Sequence, residues 1–378
     1  MMKKVLFLTG TRADYGKIKS LMKQVEKSVK LELNIFVTGM HMLSKYGLTW
    51  KELKVDGFQN LYQFINQQTN SQMDIALSNT ILGLSNYVHE MKPDLIVVHG
   101  DRLEALAGAI VGAFNNIKVA HIEGGEVSGT IDESIRHSIT KMSHIHLVSN
   151  EEAKKRVIQL GEEEGNIFII GSPDIDIMMS DELPSLQNSK ARYDIEFENF
   201  SIVMYHPVTT EVDKLKINVK SLVNSLINSN KKYVVIYPNN DEGSEIILEE
   251  YKRLEGNSNF KIFPSIRFEH FLTLLKNCEF MIGNSSAGVR ETGVYGIPSI
   301  DIGNRQKNRY DMDHSNNIIH VHEYEAEILS AIAKVQQLDI QPTAIFGDGK
   351  SDEKFIGILE NDSIWELKIQ KNFIDVKY

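Results

Sequence analysis

Acidic side chains follow two neighbouring apolar segments of this chain. Residues 121–137 hold four carboxylates, one arginine and two histidines, and they include Glu123 directly after an apolar run that ends at Ile122. An earlier apolar run ends at His99, just before Asp101. Parallel strands bring their carboxyl ends to one edge of a sheet, where open α/β proteins bind ligands. We therefore expect these acids to lie together and to serve in proton transfer.

Helix capping is the alternative interpretation of each acid taken alone. An acid at a helix N-terminus is common, because it accepts from free backbone N–H groups and opposes the helix dipole. For Asp132, the cap would belong to a helix that starts at Glu133. The density of acids after two strands favours a functional site over capping alone.

A second group of residues suits a phosphate ligand. The segment Gly283–Glu291 predicts a strand, a turn of small residues and then a helix, so that backbone N–H groups and serine hydroxyls can approach an anion. Glu291 could accept hydrogen bonds from a ribose diol. Three arginines at predicted strand ends, Arg12, Arg102 and Arg305, indicate a ligand with about two negative charges, such as a nucleoside diphosphate.

Histidines give weaker signals. His206 ends a predicted strand before Pro207, so we expect it to face the acids, although a packed structural histidine is the alternative. His137, His144 and His146 lack the spacing and the cysteine partners of a zinc site, so no metal is predicted.

Composition excludes several classes of protein. The 378 residues are 42% hydrophobic and 24% charged, which is typical of a globular protein of two domains. A net charge of -10 without a basic run argues against nucleic-acid binding. The single cysteine, Cys278, excludes an internal disulfide. The apolar start, residues 5–8, is too short for an export signal, and no run is long enough to span a membrane, so we expect a cytoplasmic protein.

Short apolar runs alternate with segments of helical period, which predicts parallel sheets. One series of about six strands precedes residue 172 and a second begins near residue 200. The predicted fold class is therefore α/β, with two Rossmann-like domains, residues 1–171 and 172–354, facing each other across a cleft. The polar stretch Asp181–Asn199 is expected to connect the domains or to cover that cleft.

The chain resembles the hydrolysing UDP-N-acetylglucosamine 2-epimerases, and within them the bacterial NeuC type of the sialic acid pathway. The resemblance runs in order along nearly the whole chain, apart from about the last thirty residues. It is carried by the following segments: Thr9–Lys17, Val37–Met42, His99–Gly108, His121–His137, His206–Thr210, Tyr237–Asp241, Phe263–Phe268, Gly283–Glu291 and Gly303–Gln306.

The resemblance implies a fold like that of the GT-B glycosyltransferases, with a C-terminal helix of about residues 355–378 that packs back on the first domain. It also implies a UDP-sugar substrate, a homodimer and no cofactor. Matched positions give the catalytic set Asp101, Glu123, Asp132 and His206. The predicted contacts to UDP and sugar are Arg12, Arg102, Arg136, Asn239, the backbone at Ile266, Ser285, Ser286, Gly288, Glu291 and Arg305.

The implied reaction is an elimination of UDP that gives 2-acetamidoglucal, followed by hydration to N-acetylmannosamine. Asp101 and Asp132 are expected to transfer protons at C2, Glu123 to stabilise the cation or guide water, and His206 to serve the leaving phosphate. Two departures, Gly16 and Glu245, each remove one contact that some relatives have. The alternatives are a UDP- or GDP-linked 2,4-diacetamido sugar as substrate, a GT-B glycosyltransferase, and a nucleotide-sugar sensor without chemistry.

Overall fold

The chain folds into two compact α/β units. The computed structural model describes residues 2–69, 71–127, 131–306, 316–338, 340–343 and 345–375. The first unit comprises residues 1–126, 132–180 and 345–378, and the second comprises residues 127–131 and 181–344. Two parallel-sheet α/β domains are thus confirmed as the fold class.

Strands and helices alternate along the described chain. The strands are β1 (Lys3–Thr9), β2 (Leu31–Val37), β3 (Leu61–Gln63), β4 (Leu95–His99), β5 (Lys118–Ile122), β6 (Ile145–Val148), β7 (Ile167–Ile169), β8 (Ser201–Met204), β9 (Tyr233–Ile236), β10 (Phe260–Phe263), β11 (Met281–Gly283), β12 (Ser299–Ile302) and β13 (Ile318–Val321). The helices are α1 (Arg12–Lys27), α2 (Trp50–Val55), α3 (Met73–Met91), α4 (Leu103–Phe114), α5 (Ile131–Met142), α6 (Glu151–Gln159), α7 (Pro173–Met178), α8 (Leu186–Arg192), α9 (Val212–Asn228), α10 (Ser244–Tyr251), α11 (Phe268–Lys276), α12 (Glu291–Tyr295), α13 (Glu325–Lys334) and α14 (Ser351–Leu359).

The sheet of the first unit is parallel and has the order β3-β2-β1-β4-β5-β6-β7. Successive residues of β1 point to opposite faces, and both faces are covered. Val5 and Phe7 belong to a core that includes residues of α1 and α14, whereas Leu6 and Leu8 belong to a core with residues of α3, α4 and α5. The chain order reverses between β1 and β4, and this switch point is where a ligand is expected, outside the carboxyl ends of the strands.

The second unit repeats the same winding. Its parallel sheet has the order β10-β9-β8-β11-β12-β13, so the switch point lies between β8 and β11. Val219, Leu222 and Leu226 of α9 pack with Val203 and Val235 of the sheet in the main apolar core. This winding brings the segments that follow β8 and β11 to neighbouring positions on one edge of the sheet.

The last described helix packs in the first unit. Phe355 and Leu359 of α14 are fully buried in the core that contains Phe7, and the two phenyl rings meet edge to face at 5.9 Å. The expected helix over about residues 355–378 is wrong for the described residues after 359: α14 ends at Leu359, and the Asn361 side chain accepts from the Ser363 N–H to start a separate 3-10 turn. Residues 376–378 of that expectation lie outside the described residues. The units divide at residues 180/181 and 344/345, whereas we expected 171/172 and 354/355.

The polar stretch 181–199 does more than connect. It contains α8, and it packs on α11: Ser189 hydrogen-bonds His270 at 3.0 Å, and the Thr273 hydroxyl donates to the Pro184 carbonyl at 2.8 Å. Within the described ranges no helix is both long enough and apolar enough to cross a bilayer.

Candidate active site

The turn after β1 is held by a carboxylate. Thr11 caps α1: its hydroxyl accepts from the Asp14 N–H at 3.1 Å, and Asp14 accepts from the Thr11 N–H at 3.1 Å and from the Thr9 hydroxyl at 2.6 Å. These reciprocal bonds form a capping box, which fixes the direction in which the helix starts. Arg12 is the first helical residue, and its guanidinium forms an ion pair with Glu52 of α2.

Asp101 follows β4 across the switch point, and its partner is a buried arginine. The guanidinium of Arg136, on α5, makes a close ion pair with Asp101 and also donates to the Glu126 carbonyl at 3.2 Å. The Arg136 side chain is 2% exposed and that of Asp101 is 24% exposed. One side of the Asp101 carboxylate therefore contacts a buried cation, and the other side is accessible to solvent.

Glu123 follows β5 in an uncommon backbone conformation. Its φ is +63°, a left-handed value that costs a residue with a Cβ about 1–3 kcal/mol. The carboxylate is nearly buried and lies 3.2 Å from His99 Nε2, at ion-pair distance although not in a well-aligned hydrogen bond. Two residues on, Gly125 also has a positive φ, and a Cβ there would lie 2.3 Å from the Ala153 carbonyl oxygen.

Asp132 lies inside the first turn of α5, which also carries Arg136. The helix starts at Ile131, so Asp132 is a helical residue and does not cap a helix that starts at Glu133. A carboxylate in the first turn is still favoured by the helix dipole. The capping alternative is therefore wrong in its geometry, and the first turn of α5 brings Asp132 one helical turn before Arg136.

Two histidines of the first unit are buried and neutral. Burial lowers the pKa of His121 to about 3, although its hydrogen bond to the Gly100 carbonyl opposes the shift. Burial likewise lowers the pKa of His41 to about 4. His121 bonds Gly100 at 2.8 Å, directly before Asp101, so it fixes the loop that carries the acid. No group of three or more metal-binding side chains occurs in the part of the chain that the structure describes.

In the second unit, the turn after β11 is tightly packed against β8. Gly283 has φ +142°, and a Cβ there would lie 1.9 Å from the Met204 carbonyl oxygen, so only glycine fits. The Ser285 hydroxyl accepts from the Ala287 N–H at 3.4 Å and caps a 3-10 turn over residues 286–288. At Gly288 a Cβ would lie 2.7 Å from Ser299 Oγ.

The helix predicted directly after the serines is shorter and later than expected. The 3-10 turn intervenes, and α12 starts at Glu291 and ends at Tyr295. Glu291, 3% exposed, is thus the first residue of α12. Gly293 and the left-handed Gly296 weaken and end this helix, which explains its five residues.

His206 follows β8, beside that turn. The Asn239 N–H donates to His206 Nδ1 at 3.0 Å. The side chain of Asn284 bonds both backbone groups of His206, and the Asn284 carbonyl accepts from Arg305 Nη1 at 3.2 Å. His206, Asn239, Ser285 and Arg305 are therefore neighbours at the switch point of the second sheet.

Ile266 is buried within the loop between β10 and α11. The hydroxyl of Tyr193 accepts from the Arg267 N–H at 2.8 Å and holds this loop. Tyr193 comes from the polar stretch 181–199, so part of that stretch supports the backbone at a predicted uracil contact.

Comparison with known proteins identifies the family. The family model described as UDP-N-acetylglucosamine 2-epimerase matches residues 23–360. The UDP-N-acetylglucosamine 2-epimerase of Neisseria meningitidis is 48% identical over 99% of this chain and 100% of its own length. This chain belongs to the UDP-N-acetylglucosamine 2-epimerase family.

Other relatives of this epimerase-family chain carry different names. The UDP-N,N'-diacetylbacillosamine 2-epimerase (hydrolyzing) of Legionella pneumophila is 34% identical over 95% of this chain and 96% of its own length. Polysialic acid biosynthesis protein P7 of Escherichia coli is 33% identical over 100% of this chain and 95% of its own length.

Solved structures of epimerases share the fold. A UDP-GlcNAc 2-epimerase of Methanocaldococcus jannaschii, in complex with UDP-GlcNAc and UDP, superposes with a TM-score of 0.80 at 22% identity over 95% of this chain and 99% of its own. A Neisseria meningitidis structure bound to UDP-GlcNAc gives a TM-score of 0.78 at 16% identity, over 94% of this chain and 99% of its own.

The predicted site residues of this epimerase-family chain fall into two sets. In the first unit, Arg12, Asp101, Arg102 and Glu123 lie after β1, β4 and β5, and Asp132 and Arg136 lie on α5. In the second unit, the set lies after β8, β9, β10, β11 and β12, and its members are His206, Asn239, Ile266, Ser285, Ser286, Gly288, Glu291 and Arg305.

Sequence reasoning missed Glu104, a buried acid of α4. It is 3% exposed, and its Oε2 lies 3.7 Å from Arg102 Nε. A Cβ at Gly10 would lie 2.7 Å from its carboxyl carbon, and one at Gly39 would lie 2.5 Å from Oε1, so both glycines make room for this acid. In the sequence, the position of Glu104 two residues after Arg102 could have indicated that the two side chains interact.

Proposed function

We propose that this protein is a hydrolysing UDP-N-acetylglucosamine 2-epimerase that converts UDP-N-acetylglucosamine and water into N-acetylmannosamine and UDP. The observation that carries the proposal is the grouping of Asp101, Glu123 and the first turn of α5 at one edge of the first sheet. The 48% identical relative is itself named a UDP-N-acetylglucosamine 2-epimerase, which supports the substrate.

The proposed reaction has two steps, an elimination followed by a hydration. In the elimination, a carboxylate takes the proton from C2 while the C1–O bond breaks and its electron pair leaves with UDP, which gives 2-acetamidoglucal. In the hydration, the oxygen of water adds to C1 and a proton adds to C2 from the opposite face. We assign the proton transfers at C2 to Asp101 and Asp132.

The environments of the acids suit these roles. Asp101 rests on the buried guanidinium of Arg136, so this arginine orients the carboxylate. Because the Arg136 side chain is 2% exposed, we propose that its role in the reaction is to position the Asp101 carboxylate. The C2 proton is only weakly acidic, so departure of UDP must run ahead of its removal, and Glu123 is well suited to stabilise the resulting positive charge at C1.

The second unit is proposed to hold the nucleotide. Ser285, Ser286 and the backbone at Gly288 offer donors to the diphosphate, and Arg305 offers a cation. Glu291 is proposed to accept from the ribose diol, and the loop at Ile266 is proposed to lie beside uracil. In the first unit, Arg12 and Arg102 are also proposed to bind phosphate, and their ion pairs with Glu52 and Glu104 hold them at the edge of that sheet.

We propose release of the free sugar, and not return of a UDP-sugar, on the basis of the family resemblance. Relatives that carry "hydrolyzing" in their names are 34% and 32% identical to this chain. The 48% identical relative of Neisseria meningitidis and the 23% identical relative of Methanocaldococcus jannaschii are both named UDP-N-acetylglucosamine 2-epimerase, without that word. The product, N-acetylmannosamine, would enter sialic acid and surface polysaccharide synthesis, which agrees with the polysialic acid protein among the relatives.

A UDP- or GDP-linked 2,4-diacetamido sugar is the second candidate substrate. It is supported by the two relatives named as diacetylbacillosamine 2-epimerases. The lower identity of those relatives places this candidate after UDP-N-acetylglucosamine. We also propose a homodimer on the basis of the family resemblance, and light scattering of the purified chain would measure its mass.

Proton NMR tests the proposed function directly. The protein is incubated with UDP-N-acetylglucosamine, without metal or NAD, and in parallel with the UDP- and GDP-linked 2,4-diacetamido sugars. We expect UDP and N-acetylmannosamine in equal amounts from the first substrate. Accumulation of UDP-N-acetylmannosamine would refute the hydrolysing assignment, and faster turnover of a diacetamido sugar would favour the second candidate.

A further inference from the structure

Asn284 links the two segments that meet at the switch point of the second sheet. Its side-chain Oδ1 accepts from the His206 N–H at 2.7 Å, and its Nδ2 donates to the His206 carbonyl at 2.9 Å. The residue is 1% exposed. The orientation of the amide follows from the partners, because a flipped amide would set N–H against N–H and oxygen against oxygen.

The ring of His206 is fixed by a third contact. Its Nδ1 accepts from the Asn239 N–H at 3.0 Å, so the Nδ1 lone pair is occupied. In the neutral ring the proton must then lie on Nε2. His206 consequently offers a hydrogen-bond donor at Nε2 and no free basic nitrogen at Nδ1.

The backbone of Asn284 extends the same network to the cationic side of the site. The Asn284 carbonyl accepts from Arg305 Nη1 at 3.2 Å and from Gln306 Nε2 at 2.8 Å. The Asn284 N–H donates to the Met204 carbonyl at 3.1 Å, across the close contact that requires Gly283. One buried asparagine thus holds the backbone of His206 and the guanidinium of Arg305 in a fixed relation.

We propose that Asn284 is a positioning residue: it holds the backbone of His206 so that the ring accepts from the Asn239 N–H and presents Nε2–H as a donor for the departing diphosphate. The proposal rests on the proposed function for the identity of the leaving group, but the state of the ring is a property of the protein alone. His206 then stabilises charge that develops on the phosphate oxygen by hydrogen bonding, without taking a proton from the sugar.

The chemistry of the amide explains why asparagine suits this position. Asn284 must accept from one backbone group of His206 and donate to the other, and an amide does both. Aspartate has the same shape but would set a carboxylate oxygen against the His206 carbonyl, so one bond becomes a repulsion. Alanine removes both bonds and leaves two buried backbone groups without their partner.

Nitrogen-15 NMR of the histidine rings tests the ring state without reference to turnover. The His206 signals are assigned by their loss in His206→Gln. We expect the wild-type ring to carry its proton on Nε2, and Asn284→Ala to give a mixture of tautomers. A wild-type ring with its proton on Nδ1 would overturn the proposal without any variant at position 284, whether or not the protein turns over a UDP-sugar.

Kinetics then separates positioning from simple support of the fold. If the ring is misplaced, Asn284→Ala and Asn284→Asp should each lower kcat by about 10²-fold. In the His206→Gln background, Asn284→Ala should change kcat by less than about threefold, because the interaction it served is already lost.

Asn224 provides a matched control in the same unit. Like that of Asn284, its side-chain amide accepts one hydrogen bond, from Arg253 Nη2 at 2.8 Å, and donates one, to Glu325 Oε2 at 3.2 Å. Asn224 lies on α9, outside the predicted site. Asn224→Ala should lower the melting temperature without changing kcat or the His206 signals. If Asn284→Ala behaved like this control, or if its effect on kcat were undiminished without His206, the proposal would be wrong.

Discussion

Removing the charge of Asp101 should damage stability and chemistry by separable amounts. In the Asp101→Asn protein, the guanidinium of Arg136 stays buried at 2% exposure with the Glu126 carbonyl, 3.2 Å away, as a neutral partner. Removing one charge of a fully buried ion pair costs about 3–5 kcal/mol. Asp101 is 24% exposed, so solvent screens the pair, and we expect a loss of about 1.5–3 kcal/mol.

The double variant Asp101→Asn/Arg136→Met separates the two effects. Methionine fills much of the same apolar space without a charge, so most of the lost stability should return. Catalysis should not return, because the group that transfers the proton is still missing, and kcat should stay lowered by about 10²–10⁴-fold. Urea unfolding measures the first quantity, and release of UDP from UDP-N-acetylglucosamine measures the second.

An exposed ion pair of the same sheet serves as the control. Asp94 lies 3.3 Å from Lys3, and their side chains are 36% and 44% exposed. Asp94→Asn should cost no more than about 1 kcal/mol and leave kcat unchanged. Recovery of kcat together with stability in the double variant would refute the reasoning, because Asp101 would then serve only to neutralise Arg136.

Four further outcomes are expected. Asp132→Asn should lower kcat by about 10²–10⁴-fold with little change in KM, and near-normal kcat in the folded protein would remove Asp132 from the catalytic set. Glu291→Gln should weaken UDP binding by about 1–3 kcal/mol in calorimetry, with a smaller effect on kcat. Turnover in deuterium oxide should place deuterium at C2 of the product, and retention of the substrate hydrogen would exclude the elimination. Burial lowers the pKa of His41 to about 4 and of His121 to about 3, so below pH 6.5 the unfolded chain binds protons that the folded chain does not. The free energy of unfolding should therefore fall as pH falls from 7 towards 4, by about 1.4 kcal/mol per histidine at pH 5.5, and a flat urea-unfolding series would contradict this.

The strand ends could be predicted because parallel strands buried on both faces are short, nearly continuous apolar runs. The apolar runs that end at His99 and at Ile122 in the sequence are β4 and β5, and both strands end at those residues. The sequence did not reveal β3, whose residues Leu61–Gln63 form a short edge strand with two exposed side chains, so no apolar run marks it.

The order of residues along the chain indicated the candidate site residues, but it could not show which of them are in contact. Asp101 and Arg136 are 35 residues apart, and their contact depends on how α5 packs beside the sheet. The same holds for His206 and Asn284, which are 78 residues apart and meet because β8 and β11 are adjacent. Residue spacing predicts contacts within a helix or a turn, whereas these pairs require the strand order.

Glu123 has a left-handed backbone conformation that places its carboxylate at the edge of the first sheet. An acid in the left-handed region carries strain that glycine at the same position would avoid. Glu123 is followed by two glycines, and Gly125 takes a second positive φ against the Ala153 carbonyl, so the chain reverses sharply as soon as β5 ends. A gentler turn would carry the carboxylate away from His99, 3.2 Å distant, and from the edge of the sheet. The strained position is therefore consistent with a carboxylate whose placement serves the reaction more than the stability of the fold.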